Sequence, residues 1–200
     1  ETETKIVDGH ITDGVNGKKG ELVFEKVSFK YPEASEYVLK DINFTVREGE
    51  TVAFIGSTGS GKSTLVNLIP RFYDVTEGNI LVDGVNIKDY VQEVLYNKIG
   101  YVPQKAVMFR GTVSSNVTYG DNGKEKQDID DIKTAVRIAQ GTQFVENMDG
   151  GYEADIAQGA TNISGGQKQR LAIARAVCRK PEIYIFDDSF SALDYKTDRI

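Results

Sequence analysis

Gly56-Ser57-Thr58-Gly59-Ser60-Gly61-Lys62-Ser63-Thr64 lies between an apolar run, Thr51 to Ile55, and a helix-like segment, Leu65 to Ile69. It fits the phosphate-loop template of a glycine, four variable residues, then glycine, lysine and serine or threonine. The glycines let the backbone turn sharply and bring successive N–H groups against phosphates, where a side chain would block the approach. The helix that follows points the positive end of its dipole at the same anion. Lys62 is placed to reach the β- and γ-phosphates, and the Ser63 hydroxyl to ligate Mg²⁺. A surface turn rich in glycine and serine uses the same residues. The full template at an expected strand-to-helix junction decides for a nucleoside triphosphate with Mg²⁺. The loop alone does not choose among the NTPases that share it.

The whole chain sets bounds on that choice. It has 200 residues, 40% of them hydrophobic, which suits one globular domain with a real core. A net charge of −6 and a pI near 5.0 argue against nucleic acid as a partner, since phosphate-backbone binding needs a basic face. The single cysteine, Cys178, excludes an internal disulfide and reads as a small buried residue in an apolar helical run. No apolar run approaches the about 18 to 20 residues that span a bilayer, and the N-terminus lacks a basic-then-apolar signal pattern. This stretch is therefore expected to be soluble and cytoplasmic, which leaves a membrane domain fused elsewhere open.

Residues 1–20 are polar and glycine-rich and read as a linker or loosely attached tail, with the only histidine, His10, solvated inside it. Leu22, Phe24, Val27 and Phe29, then Ile42, Phe44 and Val46, alternate as antiparallel strands with one buried face. Tyr31, held extended by Pro32, can stack on a purine or simply cover a core edge. Asp83-Gly84 makes Ile80 to Ile87 a hairpin, and Ile99 to Pro103 is a short strand ending at Gln104. Gln104 can ligate Mg²⁺, hold a water or merely face solvent.

From Val107 to Asp149 the spacing turns helical, with Asp128 as an N-cap, Gly120 to Lys126 as a polar loop, and the whole block reading as an inserted helical subdomain. Ser164-Gly165-Gly166-Gln167 then opens a helix running to about Lys180. Ser164 can cap it, and the paired glycines leave backbone N–H groups bare for an anion. Ile183 to Phe186 is a buried-type strand ending in Asp187-Asp188. Two carboxylates there are costly unless a cation such as a nucleotide's Mg²⁺ sits beside them. A further helix is expected from about Asp194.

In this order, Tyr31, Gly56 to Thr64, Gln104, Ile163 to Arg170, Ile183 to Asp188 and Ser191 to Asp194 resemble the nucleotide-binding domain of ATP-binding cassette transporters. Arg71 to Asp74, Phe109 to Thr112 and Asn116 resemble the exporter branch. The resemblance implies an α/β fold: a P-loop NTPase, RecA-like core with an antiparallel β subdomain and an inserted helical subdomain at about 105–165. Residues 1–20 are then the linker and 21–200 the nucleotide-binding domain.

The resemblance also implies roles. Tyr31 stacks on adenine, and Gly56, Ser57, Thr58, Gly59, Ser60, Gly61, Lys62, Ser63 and Thr64 hold the phosphates. Ser63, Gln104 and Asp187 serve Mg²⁺, and Gln104 also senses the transmembrane domain. Ser164, Gly165, Gly166 and Gln167 close over the ATP of a second nucleotide-binding domain, with Ser191 to Asp194 crossing the dimer. The implied partners are an exporter's transmembrane domain and that second domain. The implied place is the cytoplasmic face of the cell membrane, with ATP and Mg²⁺ bound.

Two departures stand out. The position after the metal-binding aspartate is normally the glutamate that polarises the attacking water, and here it is Asp188, one methylene shorter. With Lys62 and Gln104 it completes the expected catalytic set, but as in the degenerate-site subunit of a heterodimeric exporter. Ala157-Gln158-Gly159 also lacks the acidic residue usual just upstream of the signature in exporters. The family's switch histidine belongs beyond Asp194, so the 200-residue chain is expected to be a fragment with little activity by itself. A cassette ATPase of DNA maintenance would carry a long coiled coil between phosphate loop and signature, and this sequence has none.

Overall fold

In the computed structural model, residues 6–120, 123 and 126–189 are described. The chain divides after Lys98 into two compact units.

The first unit is built on β1 (Leu22–Phe29), β2 (Leu39–Val46), β3 (Glu77–Val82) and β4 (Val85–Asn86), antiparallel in the order β2-β1-β3-β4. Leu22, Phe24, Val27 and Phe29 are all buried although Phe24 and Val27 are three residues apart. The register shifts there, and Lys26 adopts a φ of 49°, so a bulge returns the later side chains to the core face. Asn43 holds the bulge by accepting from the Lys26 N–H at 2.8 Å. Gly78 passes so close that a Cβ would stand 2.3 Å from the Lys26 carbonyl oxygen, which only glycine permits. The expected hairpin forms, with Asp83 and Gly84 at φ of 52° and 76°, the left-handed pair of a tight hairpin turn.

Helix α1 (Lys62–Leu68) buries Thr64, Leu65, Val66 and Leu68, and α2 (Gln92–Lys98) buries Leu95. After α1 the chain reverses at Arg71, φ 57°, whose guanidinium is buried and pairs with Asp74 at 2.8 Å.

Two expectations fail in this unit. Thr51 to Ile55, read as the strand entering the phosphate loop, joins no ladder among the described residues, and Ile55 is 97% exposed. Apolar character marks a segment as fit for a sheet, but pairing is decided by a neighbour the segment does not itself contain. Residues 6–20, expected to be loosely attached, are tied down. Gly9 N donates to Tyr90 O at 3.0 Å, Val91 N to Ile11 O at 2.9 Å and Val15 N to Asp83 O at 2.8 Å. The anchor is the Asp83 carboxylate, 2% exposed, which accepts from Gly20 N at 2.7 Å and from Lys98 Nζ at 2.6 Å. Backbone donors, invisible to composition, overrode the polar sequence. His10 is exposed, as expected.

The second unit is organised by its longest helix. The following elements precede or flank it: β5 (Ile99–Val102), β6 (Gly111–Thr112), α3 (Val113–Val117), α4 (Ile129–Ile138), α5 (Thr142–Glu146) and β7 (Asp155–Ile156). The long helix itself is α6 (Gly165–Cys178), followed by β8 (Ile183–Phe186). α6 buries Leu171, Ala172, Ala174, Ala176 and Cys178 in one cluster with Val113 and Val117 of α3 and Ile132, Ala135 and Val136 of α4. Its small residues let the neighbouring helices approach. Cys178 is 2% exposed, and burial pushes its thiol up to about 11.

Asp128 caps α4 as expected, its Oδ1 accepting from Asp130 N at 2.9 Å and Asp131 N at 2.8 Å. The two-residue antiparallel pair of β6 and β7 was not legible, being too short for any alternation. Most of the loop within Gly120 to Lys126, the segment Ser191 to Asp194 and the helix expected from about Asp194 lie outside the described residues.

Truncating Asp83 leaves the Lys98 ammonium and the Gly20 N–H without their buried acceptor. Asp83→Ala is expected to lower unfolding free energy by about 3 kcal/mol, read as a lower urea midpoint. An unchanged midpoint contradicts the anchoring role.

Candidate functional site

In the first unit the predicted phosphate loop runs from Gly56 to the start of α1. Gly59 and Gly61 hold φ of 81° and 92°, so the loop backbone needs glycine at both. Gly56 is tight for another reason: a Cβ there would meet Ser60 Oγ at 2.6 Å. The Lys62 ammonium spans the loop and donates to Gly56 O at 2.7 Å and Ser57 O at 2.9 Å. Ser60 N donates to Ser57 O at 3.1 Å, which closes the turn that carries Thr58 and Gly59. Ser63 is exposed on the first turn of α1, whereas Thr64 is buried.

Tyr31 belongs to the same neighbourhood. Its hydroxyl shares a 2.9 Å hydrogen bond with Thr64 Oγ1. Its ring stands nearly perpendicular to those of Phe29 and Tyr73, at centroid distances of 5.0 and 5.3 Å. The structure thus joins Tyr31 to Gly56–Thr64, and it adds Tyr73, which the sequence singled out only within the exporter-like stretch Arg71 to Asp74.

The second unit holds Gln104, Asp187, Asp188 and the glycine-fronted helix start. β5 and β8 pair in parallel, Val102 opposite Phe186, so both strands end at one level. Asp187 N donates to Val102 O at 3.0 Å and extends the ladder by one step. Gln104 Nε2 then donates to Asp188 Oδ2 at 3.0 Å. The amide of Gln104 engages the carboxylate, so its carbonyl oxygen is the atom left to face a cation. Asp188 adopts a φ of 46°, a left-handed conformation that aspartate tolerates better than most residues. Ser189, buried, donates from Oγ to Val102 O at 2.8 Å and pins the turn from below.

Tyr101 was missed. Its hydroxyl donates to Asp187 Oδ2 at 3.4 Å. The signal lay in the strand itself, since a tyrosine three residues before Gln104 on a strand aimed at two carboxylates is a natural donor.

At 164–167 the structure forms a full capping box. Gln167 N donates to Ser164 Oγ at 3.2 Å, and Ser164 N donates to Gln167 Oε1 at 2.8 Å. A Cβ on Gly165 would meet nothing within 4 Å, so packing within the chain does not demand glycine there. Gln169, 2% exposed, donates from Nε2 to Pro103 O at 3.2 Å and ties α6 to the turn that presents Gln104.

The Gln104 carboxamide oxygen and the Asp187 carboxylate in the second unit are hard oxygen donors of the kind Mg²⁺ takes, and so, in the first unit, is the Ser63 hydroxyl. Among the described residues no group of three His, Cys, Asp or Glu side chains forms a metal site. No helix among the described residues is long and apolar enough to cross a membrane.

A family model described as "ABC transporter" matches residues 39–191. An ABC transporter ATP-binding protein of Mycobacterium tuberculosis is 50% identical over 187 residues, 94% of this chain and 31% of its own length. A putative multidrug export ATP-binding/permease protein of Staphylococcus aureus is 44% identical over 183 residues, 92% of this chain and 31% of its own. A solved bacterial Atm1-family ABC exporter with ATP bound aligns with a TM-score of 0.88 at 33% identity, covering 99% of this chain and 34% of that one. The chain thus spans about a third of the length of the relatives it matches.

Burial first, then the neighbouring Asp187 carboxylate, push the Tyr101 phenol up to about 12. The phenol ionises later in the folded chain than in the unfolded one, so its contribution to stability is whole below the unfolded value near 10. That contribution is lost as pH rises from there through about 12. Ultraviolet titration of the wild type against Tyr101→Phe is expected to show one phenol ionising at that value, and Asp187→Asn to lower it. A Tyr101 midpoint near 10 in the folded chain contradicts this.

Proposed function

Because the chain belongs to the ABC transporter family, we propose that it is the ATP-binding motor of a membrane exporter, working at the cytoplasmic face of the membrane. The observation that carries this reading is a pairing within one chain. A glycine-dependent loop is spanned by Lys62, and a capped helix start at Gly165 has open space in front of it. The first half binds a triphosphate. The second suits the close approach of an anion to bare backbone N–H groups, here the γ-phosphate of an ATP held by a second nucleotide-binding domain.

In this reading Tyr31 stacks on adenine, Gly56 to Thr64 wrap the phosphates, and Lys62 neutralises charge as it develops on the γ-phosphate. Mg²⁺, when bound through Ser63, Asp187 and Gln104, supplies Lewis acidity to the same phosphate. Water attacks the γ-phosphorus, the bond to the bridging oxygen breaks, and ADP and phosphate leave. Asp188 accepts the water's proton through Oδ1 or Oδ2. Its Oδ2 receives the Gln104 amide, and its side chain is one methylene shorter than the usual glutamate. Both features hold the carboxylate back from an in-line water and make hydrolysis at this site slow. Transport is driven when two such domains close head to tail on two ATP molecules and the transmembrane domain follows.

The same Gln104–Asp188 bond favours a second reading, in which the domain is an ATP-holding regulatory clamp. There, Ser164 to Gln167 complete the competent site of a heterodimer partner, and this chain's own ATP is not cleaved.

Lys62→Ala is expected to weaken MgATP binding at least about 100-fold, measured by nucleotide titration, through loss of a charge-assisted phosphate contact. Asp188→Glu in the assembled transporter is expected to raise single-turnover hydrolysis at this site about tenfold or more. No gain counts against Asp188 as the limiting residue and favours the clamp.

A further inference from the structure

β5 runs out into Val102-Pro103-Gln104, and each of these three residues is held by a different contact. Val102 O accepts from Asp187 N at 3.0 Å and from Ser189 Oγ at 2.8 Å, and the Gln104 amide donates to Asp188 Oδ2 at 3.0 Å. Between them Pro103 has no N–H to give, and its carbonyl oxygen accepts from Gln169 Nε2 at 3.2 Å. Gln169 lies on α6, just past the capping box of Ser164 and Gln167, and is 2% exposed.

A residue's backbone has two soft dihedrals, and the proline ring already fixes one of them at Pro103. The other sets the direction of the Pro103 carbonyl and, because the peptide is planar, the plane that carries the Gln104 N–H and Cα. A hydrogen bond to that carbonyl therefore fixes the base from which the Gln104 side chain starts. For packing alone a methionine or leucine would serve at this position of α6, and a buried amide is costly unless it is bonded. Its bond to Pro103 is what a packing residue could not supply.

We propose that Gln169 is a positioning residue for Gln104. By holding Pro103 O it keeps the Gln104 amide on Asp188 and leaves the Gln104 carbonyl oxygen turned to the cation of a bound nucleotide. This rests on the reading of Gln104 as a Mg²⁺-facing residue. The metal-dependent part of ATP affinity then depends on a buried side chain of α6 that acts through the backbone.

The test is calorimetric titration of the full-length protein with MgATP and, separately, with ATP in excess EDTA, which has the base and phosphates but no cation. Gln169→Met keeps the reach of the side chain and removes the donor. It is expected to weaken MgATP about tenfold, as loss of a metal ligand's outer partner does. Affinity for ATP in EDTA stays unchanged, which also reports that the variant is folded. Gln104→Ala reproduces the loss, and the double variant is no weaker than Gln104→Ala alone. Gln169→Glu donates to Pro103 O only while its buried carboxyl is protonated, so its MgATP affinity matches wild type at low pH and falls about tenfold below it as the carboxyl ionises.

An equal loss for ATP in EDTA means that Gln169 supports nucleotide binding at large and overturns the proposal. So does unchanged MgATP affinity in Gln169→Met, or additive losses in the double variant. Where Gln169→Met does not fold, Gln169→Glu decides within one protein, and a pH dependence parallel to that of wild type overturns the proposal. Gln104→Ala separates this from the reading beneath it. If it leaves MgATP affinity intact, the cation-facing role of Gln104 itself falls; if it weakens MgATP while Gln169→Met does not, only the positioning role falls.

Discussion

The parallel register of β5 and β8 is the constraint on which the second unit's chemistry depends. With Val102 opposite Phe186, both strands run out at the same level, and the residues just past their ends are forced into one another's reach. A slip of one residue would turn every side chain of one strand to the opposite face. Gln104 and Asp188 would then no longer meet. Asp187 N and Ser189 Oγ both bond Val102 O, so the register is fastened from both sides of the acidic pair. A functional grouping of polar side chains thus rests on one carbonyl of an apolar strand.

α6 transmits order from that point outward. Gln169 reaches the carbonyl of Pro103, and two turns further on Arg175 reaches the loop that follows. Its Nε donates to Asn116 O at 2.8 Å and its NH1 to Val107 O at 2.9 Å, while its guanidinium lies 5.6 Å from the Phe109 ring and 5.5 Å from that of Tyr119. Burial lowers its affinity for a proton, yet it stays charged and serves as a rigid fork. Asn116, itself buried, closes the loop by bonding Phe109 through both its amide groups. The helix that presents Gly165 at its start therefore also sets the shape of the segment after Gln104.

How far this was legible in the sequence depended on the range of the interaction. Local chemistry read well. Ser164 and Asp128 cap the helices they were expected to cap, Asp83-Gly84 turns the hairpin, and the strands before Gln104 and Asp187 begin and end within a residue of expectation. Each follows from contacts between residues a few positions apart. Non-local chemistry did not read. The Asp83 carboxylate anchors Gly20, 63 positions away, and no pattern of polar residues in 6–20 announces that acceptor. Tyr101 on Asp187 and Tyr73 beside Tyr31 depend on where separate segments are brought, which composition does not encode. Thr51 to Ile55 failed for the same reason in reverse, because a strand is a property of a pair.

Cys178 gives the chain a practical property. The thiol is buried in the cluster that α4 and α6 share, and burial pushes it up to about 11, so at neutral pH hardly any thiolate exists to attack an electrophile. Maleimide and iodoacetamide reagents should therefore pass over this stretch. A cysteine introduced at an exposed position, such as Val7 or Val107, would carry the only label within it. For distance measurements by fluorescence or spin resonance, these 200 residues add no background label of their own.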